Sequence, residues 1–515
     1  MNTKKTIKEF FLENILSWIF VAFFLMLVYG IKVFNISISH DTEAIIAVPE
    51  ALYDSWIILG RFGLVLVKKI LGIMSFNPYI ATFMMVVLMM INAIAWEYLF
   101  CSLTGMWYMK YKWILPVVFF TSKIYVEQNA FILQTYEVNL VLLLVCFSLY
   151  TFFFVGSKWK YIAMIMINAL AFSVYQSFVT IYISAACGCF LLWFYKRNNE
   201  NGIQYSDDKV IWKKLGSLII IFLISFVTYE LMNKCVLKVS GLETSSYITD
   251  QVAWLSNSPK ECIQSILVYL KKVLLGEDAF YSLYFGVVNV GFIVLSITDI
   301  IRKKVKMKAI FILVCLGCLT APFLLTVFLG TPPSHRADIA VPFMVAFLLQ
   351  YIMMRLSKNN KKMLQYTERV CVCFLVVVVY YQSVESARLL YTEYVQNVED
   401  MRVAIKISDR IDQLDLGENP EEPVVFVGHR EANLNDSCVK KQDFELIGYS
   451  FFEISFSTNH GTWVMNHYMN TLGYKYNLPT QEQMTEAEEY AKNMPVFPDN
   501  GSVVKYKHMI IVKLS

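Results

Sequence analysis

Charged residues are scarce in this 515-residue chain. They make up 17% of the sequence, whereas hydrophobic residues make up 57%, and the mean hydropathy is +0.50. Soluble domains average about 45–50% apolar and about 25% charged residues, so the composition excludes an ordinary soluble protein. The net charge of +4 is small and gives no indication of a nucleic-acid partner.

Common motifs of soluble enzymes are also missing. The sequence has no Gly-rich phosphate-binding loop, no Ser-centred nucleophile elbow and no HExxH zinc motif. Most of the eleven cysteines lie in apolar runs, where they behave as small hydrophobic residues, and Cys315 and Cys318 lack the partners of a zinc site. These absences argue against a nucleotide-driven cytoplasmic engine, so an activated group would have to arrive on lipid.

The apolar residues are concentrated in runs of about 20, the length that a helix needs to cross about 30 Å of hydrocarbon. Such runs must be helices because lipid cannot satisfy free backbone N–H and C=O groups. The first run is too long for a signal peptide and has no small-residue cleavage site, so we expect it to be retained. We predict an all-α polytopic membrane protein with about eleven spans, near residues 15–34, 78–100, 113–129, 131–155, 160–175, 177–195, 215–236, 282–301, 308–329, 337–356 and 366–388.

The orientation of the spans follows from the distribution of lysine and arginine. Cytoplasmic loops carry an excess of these residues, and alternate predicted loops are rich in them, near residues 110–112, 158–160, 196–214, 302–308 and 355–369. We therefore predict a multi-pass protein of the cytoplasmic (plasma) membrane with its N-terminus inside. An odd number of spans then puts the C-terminal part outside.

After about residue 390 the long apolar runs stop, and Glu, Asp and Asn become more frequent. Periodicity predicts a buried strand within 421–428, a helix at 484–494 and a closing strand at 503–514. We therefore divide the chain into a transmembrane domain, residues 1–390, and a small extracytoplasmic α+β domain, residues 391–515.

Two predicted outer segments, 35–77 and 238–281, are longer than simple turns. Each contains apolar residues at helical spacing, which indicates a helix lying along the outer membrane interface. Ordinary loop helices are the alternative, and the sequence leaves both open.

Two sites in the first outer segment have catalytic potential. Asp41 and Glu43 directly follow the first span, where a carboxylate can act as general base toward a sugar hydroxyl. The alternative is a solvated loop. Arg61 lies between two glycines, and its guanidinium suits a carboxylate or phosphate partner, the alternative being an arginine that snorkels from an interfacial helix.

The turn at 330–343 contains His335, Arg336 and Asp338, and its cations would meet a lipid phosphate at headgroup depth. Equally, they could cap and anchor the tenth span. Polar residues within apolar stretches are costly and tend to face a cavity or a partner. On that ground we expect one outward cavity lined by Lys123, Glu127, Gln128, Glu137 and Gln176.

Several of these features together resemble a known family. The acidic pair after the first span, a Trp56…Gly60-Arg61 segment, the Tyr175-Gln176 turn and the C-terminal MPVFPDNGSVV stretch resemble the Gtr type II glucosyltransferases of bacterial O-antigen modification. The resemblance covers nearly the whole chain, although the motifs are short. The acidic pair of the family is adjacent, whereas here Thr42 separates the two carboxylates, so either one remains the candidate base.

The resemblance implies a GT-C type glycosyltransferase. The donor would be a polyprenyl-phosphate sugar, undecaprenyl-phosphate glucose being expected, and the acceptor a surface polysaccharide or another cell-envelope glycan. Asp41 or Glu43 would take the proton of the acceptor hydroxyl, and Arg61, His335 or Arg336 would bind the donor phosphate. Trp463 would stack on a sugar ring or belong to the core. Apart from the lipid-linked donor, no cofactor is identified, and divalent-metal dependence stays open.

Two other readings remain. A transporter or flippase of lipid-linked sugars would also be polytopic, but such proteins show inverted repeats and broken helices in matching positions, which this sequence does not clearly contain. A polysaccharide polymerase or an acyltransferase would share the outward site and differ only in its substrates.

Overall fold

A computed structural model describes residues 5–515 except 201–207, 244–249, 303–304, 358–361, 418–419, 441–443, 446 and 454–457. Lys303, Lys304, Lys358 and Lys361 of the predicted cytoplasmic clusters therefore lie outside the described residues. The protein is mostly helical, with one three-stranded sheet near its C-terminus among the described residues. The predicted fold class is confirmed at this level.

Among the described residues, nine helices are long and apolar enough to cross a membrane. They are Ile15–Phe34, Pro78–Thr104, Ile132–Phe154, Phe178–Asn198, Asp208–Ser240, Tyr284–Ile301, Lys308–Leu329, Ala340–Ser357 and Gln365–Asp412. The two other predicted spans are shorter helical pieces. Residues 113–129 form Ile114–Phe120 and Lys123–Ala130, which are separated at Thr121-Ser122, and residues 160–175 form the 15-residue helix Lys160–Val174.

The remaining helices lie in the connections and in the C-terminal region. They are Ile7–Glu13, Thr42–Ala47, Pro49–Ile58, Phe62–Leu71, Pro259–Leu275, Thr458–Thr471 and Gln481–Ala491, with single 3₁₀ turns at Ala253–Leu255 and His335–Ala337. Two further 3₁₀ turns, Ile132–Gln134 and Ala321–Phe323, lie within the spans. The helix expected within 49–72 is thus two helices. They are separated at Gly60, whose φ of +75° belongs to the left-handed region that glycine tolerates.

Local sequence explains where several helices begin and end. Asn77 caps Pro78–Thr104 by accepting a hydrogen bond from the backbone of Ile80, and Gly105 ends the helix in a left-handed conformation. Ser258 and Glu261 form a capping box at the start of Pro259–Leu275. Packing determines the rest, because the first span packs against Pro78–Thr104 and against the last long helix.

That last helix, Lys362–Asp412, is 51 residues long and continues well past the apolar part of its sequence. It packs against the first span, and its C-terminal part contributes Val403, Ala404 and Ile407 to the core of the C-terminal region. The predicted domain boundary at residue 390 falls inside this helix and stays a prediction.

The C-terminal sheet has three strands: β1, Val424–Val427; β2, Val503–Tyr506; and β3, Met509–Lys513. β3 is central, parallel to β1 and antiparallel to β2. The single closing strand predicted at 503–514 is therefore a hairpin. Its turn is Lys507-His508, with Lys507 at φ +52°, and it lacks the Asn-Gly signature that usually reveals such a turn.

A buried ion pair joins the first span to the last helix. Lys32 pairs with Glu393, and both side chains are at most 3% exposed. Lys32 also donates to the carbonyl oxygen of Ala130 at 3.0 Å, and Ser37 Oγ donates to Glu393 at 3.1 Å. These contacts satisfy two charges that would otherwise be very costly inside the protein.

We expect Lys32→Met to destabilise the protein by ~3–5 kcal/mol, because it leaves Glu393 buried without its cation. The double variant Lys32→Met/Glu393→Met should recover most of this loss. The measurement is the free energy or midpoint of unfolding in detergent. Lys271→Met, which removes a 62% exposed lysine of an ion pair, is the control and should have little effect. A double variant no more stable than the single one would contradict the assignment.

Candidate active site

The segment that follows the first span runs between the helix bundle and the C-terminal region. Ile38 exchanges two backbone hydrogen bonds with the side chain of Asn397, at 3.0 and 2.9 Å. His40 Nε2 donates to the carbonyl oxygen of Tyr449 at 3.0 Å, and its ring packs against Phe451. Burial lowers the pKa of His40 to about 4, so this imidazole is neutral. The C-terminal region therefore fixes the segment that carries the acidic pair.

Asp41 directly precedes the helix Thr42–Ala47 and has a left-handed backbone, with φ +66°. Left-handed backbone is uncommon for residues other than glycine and is often found at functional sites. The residue is exposed to solvent, yet desolvation by the surrounding protein raises the pKa of its carboxyl. The Asp41 carboxyl is thus both accessible to water and closely surrounded by protein.

Three basic side chains act on Asp41. The charges of Arg336, His460 and Arg61, in that order, oppose the desolvation and lower the pKa of the carboxyl. The three come from distant parts of the chain: the 330–343 turn, the C-terminal helix Thr458–Thr471 and the break between Pro49–Ile58 and Phe62–Leu71. The fold thus brings together two arginines predicted as phosphate ligands and the carboxylate predicted as base.

Glu43 has a different environment from Asp41. It is 1% exposed, and burial raises the pKa of its carboxyl well above the usual value, with the charge of Asp41 raising it further. The backbone N–H groups of Glu43 and Asp41 donate to it but offset only part of this effect. Two neighbouring carboxylates resist simultaneous ionisation, so Asp41, which has the cationic neighbours, is the one that ionises more readily, and Glu43 holds its proton more tightly.

Two successive residues, Tyr175 and Gln176, hold Arg61. Its Nε donates to Gln176 Oε1 at 3.3 Å, and its guanidinium lies 5.2 Å from the ring centre of Tyr175. Gln176 Nε2 in turn donates to the carbonyl oxygen of Leu59 at 2.6 Å. The predicted Tyr-Gln turn therefore orients Arg61, which is half-buried.

The glycines on each side of Arg61 allow this approach. A Cβ on Gly60 would lie 2.7 Å from Tyr229 Oη, and one on Gly63 would lie 2.1 Å from Ser173 Oγ. Gly60 also accepts a hydrogen bond from Tyr229. Larger residues at these positions would push the Arg61 segment away from the neighbouring helices.

The 330–343 turn carries the second arginine. The guanidinium of Arg336 lies 4.7 Å from the ring centre of Phe131, and its Nε lies 3.8 Å from Glu445 Oε2. The ring of His335 stacks on Phe280 at 4.1 Å. Asp338 is buried, accepts a hydrogen bond from Tyr269, and has a pKa raised by burial to about 7. Asp338 therefore anchors the turn, and Arg336 is the residue of the turn that acts on Asp41.

The other predicted cavity residues fall into two groups: two that contact loops or the site, and three that are fully buried. Lys123 donates to the carbonyl oxygen of Ala279 at 2.5 Å, and Gln176 contacts Arg61 as described. Three more have no exposed surface: Glu127, Gln128 and Glu137. Glu137 accepts a hydrogen bond from Lys68 at 2.5 Å within a fully buried pair. A cavity-lining role for these residues stays a prediction.

Three further residues lie near the site and have no signal in the sequence: His460, Glu445 and Asp278. His460 lies in the same polar SFSTNHGTW stretch as Trp463, where a histidine is ordinary. Trp463 is half-buried, packs edge-on against His467 at 3.9 Å and joins the C-terminal core. Within the described ranges, no group of three or more His, Cys, Asp or Glu side chains is placed to hold a metal ion.

Comparison with known proteins assigns most of the helical region. Residues 30–353 match the family model described as glucosyl transferase GtrII. The matched range contains Asp41, Arg61 and Arg336. Neither the curated proteins nor the solved structures include a match to this chain.

We expect Glu43→Gln to stabilise the protein at alkaline pH. Because the pKa of Glu43 is raised in the folded state from 4.5, the folded state binds more protons than the unfolded one, and stability falls as pH rises above that value. Glutamine removes this loss, and each pKa unit is worth about 1.4 kcal/mol. The unfolding midpoint of the variant should exceed that of the parent at pH 8 and match it near pH 4.

The control for this prediction is Glu50→Gln, which removes an exposed carboxylate from the next helix. It should leave the pH dependence of the unfolding midpoint unchanged. A Glu43→Gln variant that loses stability at pH 8 would show that Glu43 is ionised in the folded protein.

Proposed function

The chain belongs to the GtrII family of glucosyl transferases, and from this membership we propose that it is a GT-C type membrane glycosyltransferase. It moves a sugar, glucose being expected, from a polyprenyl-phosphate donor to a surface polysaccharide such as O-antigen or another cell-envelope glycan. The observation that supports this most is the convergence of Arg336, His460 and Arg61 on the accessible carboxylate of Asp41.

The chemistry of the transfer requires both kinds of group. The acceptor hydroxyl attacks the anomeric carbon, the bond from that carbon to the donor phosphate breaks, and the hydroxyl proton goes to a base. Charge develops on the departing lipid phosphate, and fixed cations at that place stabilise the transition state. Arg61 and Arg336 are the residues that we assign to the phosphate.

Asp41 is the base in this proposal. Glu43 holds its proton more tightly, so Asp41 is the member of the pair that we assign as proton acceptor. The charges around Asp41 favour its ionised form, whereas desolvation raises its pKa and so makes it a stronger base. Asp41 is also the carboxylate of the pair that is exposed to solvent.

The donor arrives by way of the lipid. The cationic and acidic side chains meet at one end of the apolar helix bundle. Such an arrangement suits a donor whose sugar phosphate lies at headgroup depth. The lysine and arginine distribution favours the outer face of the plasma membrane for this end, together with the C-terminal region.

We expect Asp41→Asn to abolish sugar transfer while the protein stays folded. Loss of a general base typically lowers the rate by 10²–10⁴-fold. The measurement is transfer of labelled glucose from undecaprenyl-phosphate glucose to acceptor glycan in membranes. Glu43→Gln should retain activity, and so should Asp54→Asn, which removes an exposed carboxylate of a nearby helix. Activity of the parent should fall as pH decreases through the raised pKa of Asp41.

Two outcomes would overturn this assignment. Full activity of Asp41→Asn would remove Asp41 as the base. Movement of lipid-linked sugar across the membrane without transfer to any acceptor would replace the enzyme with a flippase.

The proposed orientation has a separate test. Protease added to right-side-out spheroplasts should remove an epitope fused after Ser515, because the C-terminal region is outside. Inside-out vesicles from the same cells serve as control and should protect the epitope. Protection in the spheroplasts and cleavage in the vesicles would reverse the topology.

A further inference from the structure

Glu445 connects the C-terminal region to the turn that carries Arg336. Its Oε1 accepts a hydrogen bond from the backbone N–H of His335 at 2.6 Å and lies 3.3 Å from His335 Nδ1. Its Oε2 lies 3.8 Å from Arg336 Nε. The carboxylate therefore contacts two successive residues of the turn. Its contacts with His335 are short, and its contact with Arg336 is longer.

The difference between these contacts is informative. A separation of 3.8 Å is longer than a hydrogen bond, so Glu445 does not engage the guanidinium of Arg336 in the tight bidentate geometry of which arginine and carboxylate are capable. The hydrogen bond to the His335 backbone, in contrast, fixes the main chain from which Arg336 extends. Glu445 holds the turn and leaves the donors of Arg336 for another anion.

The opposite side of His335 is fixed as well. Its Nε2 lies 3.7 Å from Asp278 Oδ1, and its ring stacks on Phe280 at 4.1 Å. The same loop is tied to the helix bundle, since Lys123 donates to the carbonyl oxygen of Ala279. His335 is thus held between an acid from the helical region and an acid from the C-terminal region.

The electrostatics of this cluster agree with its geometry. Desolvation lowers the pKa of His335, but the hydrogen bonds and charges of Asp278 and Glu445 outweigh it and raise the pKa to about 9. Desolvation alone would raise the pKa of Glu445. The contacts with His335 and the charge of Arg336 outweigh it, so the net pKa of Glu445 is lowered. At neutral pH, His335 and Glu445 are both ionised.

We propose that Glu445 is a positioning residue of the donor-phosphate site: it clamps the His335-Arg336 turn so that Arg336 faces Asp41, and the C-terminal region thereby completes that site. This inference rests on the proposed function for the identity of the anion. It goes beyond that function because it gives a residue after position 390 a part in donor binding, in addition to any part in acceptor binding.

The test compares two substitutions of Glu445 with different geometry. Glu445→Ala removes the acceptor of the His335 backbone N–H, so we expect the dissociation constant for undecaprenyl phosphate to rise at least fivefold. Glu445→Gln keeps an acceptor but loses the charge, so at pH 6 its dissociation constant should stay within about twofold of the parent. Binding is measured in detergent from the ligand-induced shift of the unfolding midpoint, which rises with occupancy of the folded state.

The pH profile separates positioning from general destabilisation. In the parent, binding should persist to about pH 9, the pKa of His335. In Glu445→Gln, His335 has lost one of its two carboxylates, so binding should weaken at a lower pH than in the parent. Asp436→Asn, which removes an exposed carboxylate from the same C-terminal region, should behave as the parent does. Parent-like affinity in Glu445→Ala, or coincident pH profiles for Glu445→Gln and the parent, would overturn the inference.

The two proposals fail separately. If the parent binds undecaprenyl phosphate and Glu445→Ala weakens it, but neither transfers glucose, the proposed function fails and the clamp stands. If glucose transfer requires Asp41, but both Glu445 variants bind the donor phosphate as the parent does at every pH, the function stands and the clamp fails.

Discussion

The cost of placing charge inside a low-dielectric protein is the constraint on which this structure depends. An ion removed from water requires a partner with good geometry, and three largely buried cations of the bundle have an acidic partner. Lys32 pairs with Glu393, Lys68 pairs with Glu137, and Arg355 forms two hydrogen bonds with Asp299, at 2.6 and 2.9 Å. Each pair joins two different helices, so the pairs that satisfy the charges also set the frame of the bundle.

The same constraint explains how one end of the bundle differs from the rest. At Asp41 the carboxylate is accessible to water, and its three basic neighbours come from separate segments. Glu43, two residues away, has no such access, and burial raises the pKa of its carboxyl well above the usual value. One sequence motif therefore produces two carboxyl groups of different acidity, and the exposed one ionises more readily.

Periodicity and composition were sufficient to predict the helical class, most of the spans and the C-terminal mixed region. They did not resolve features that depend on tertiary contact. The 503–514 stretch alternates as one strand does, and only the left-handed Lys507 shows that it turns back on itself. Glu137 is a polar residue in an apolar stretch, which is why a cavity-lining role was predicted. In the structure it pairs with Lys68, which lies in a helix distant in sequence. Without a covariation signal, a single sequence contains no trace of that pairing.

The candidate site was predictable in part for the same reason. Asp41, Arg61 and Arg336 occur beside spans, where a charged residue is conspicuous, and sequence reasoning therefore finds them. His460 and Glu445 occur in a polar region, where charged residues are ordinary. Their significance arises from the long helix Lys362–Asp412, which continues from the bundle into the C-terminal core, and from the contacts of His40 with Tyr449 and Phe451.

These contacts bear on what the C-terminal region is for. A domain that only recruited an acceptor glycan would need no hydrogen bond to the turn that carries Arg336. Here Glu445 contacts that turn, and the charge of His460 acts on Asp41. A displacement of the C-terminal region would therefore change the surroundings of the proposed base and of the proposed phosphate-binding arginine together. In the proposed reaction, an acceptor that binds to this region is thus coupled to the donor site through the protein as well as through the transferred sugar.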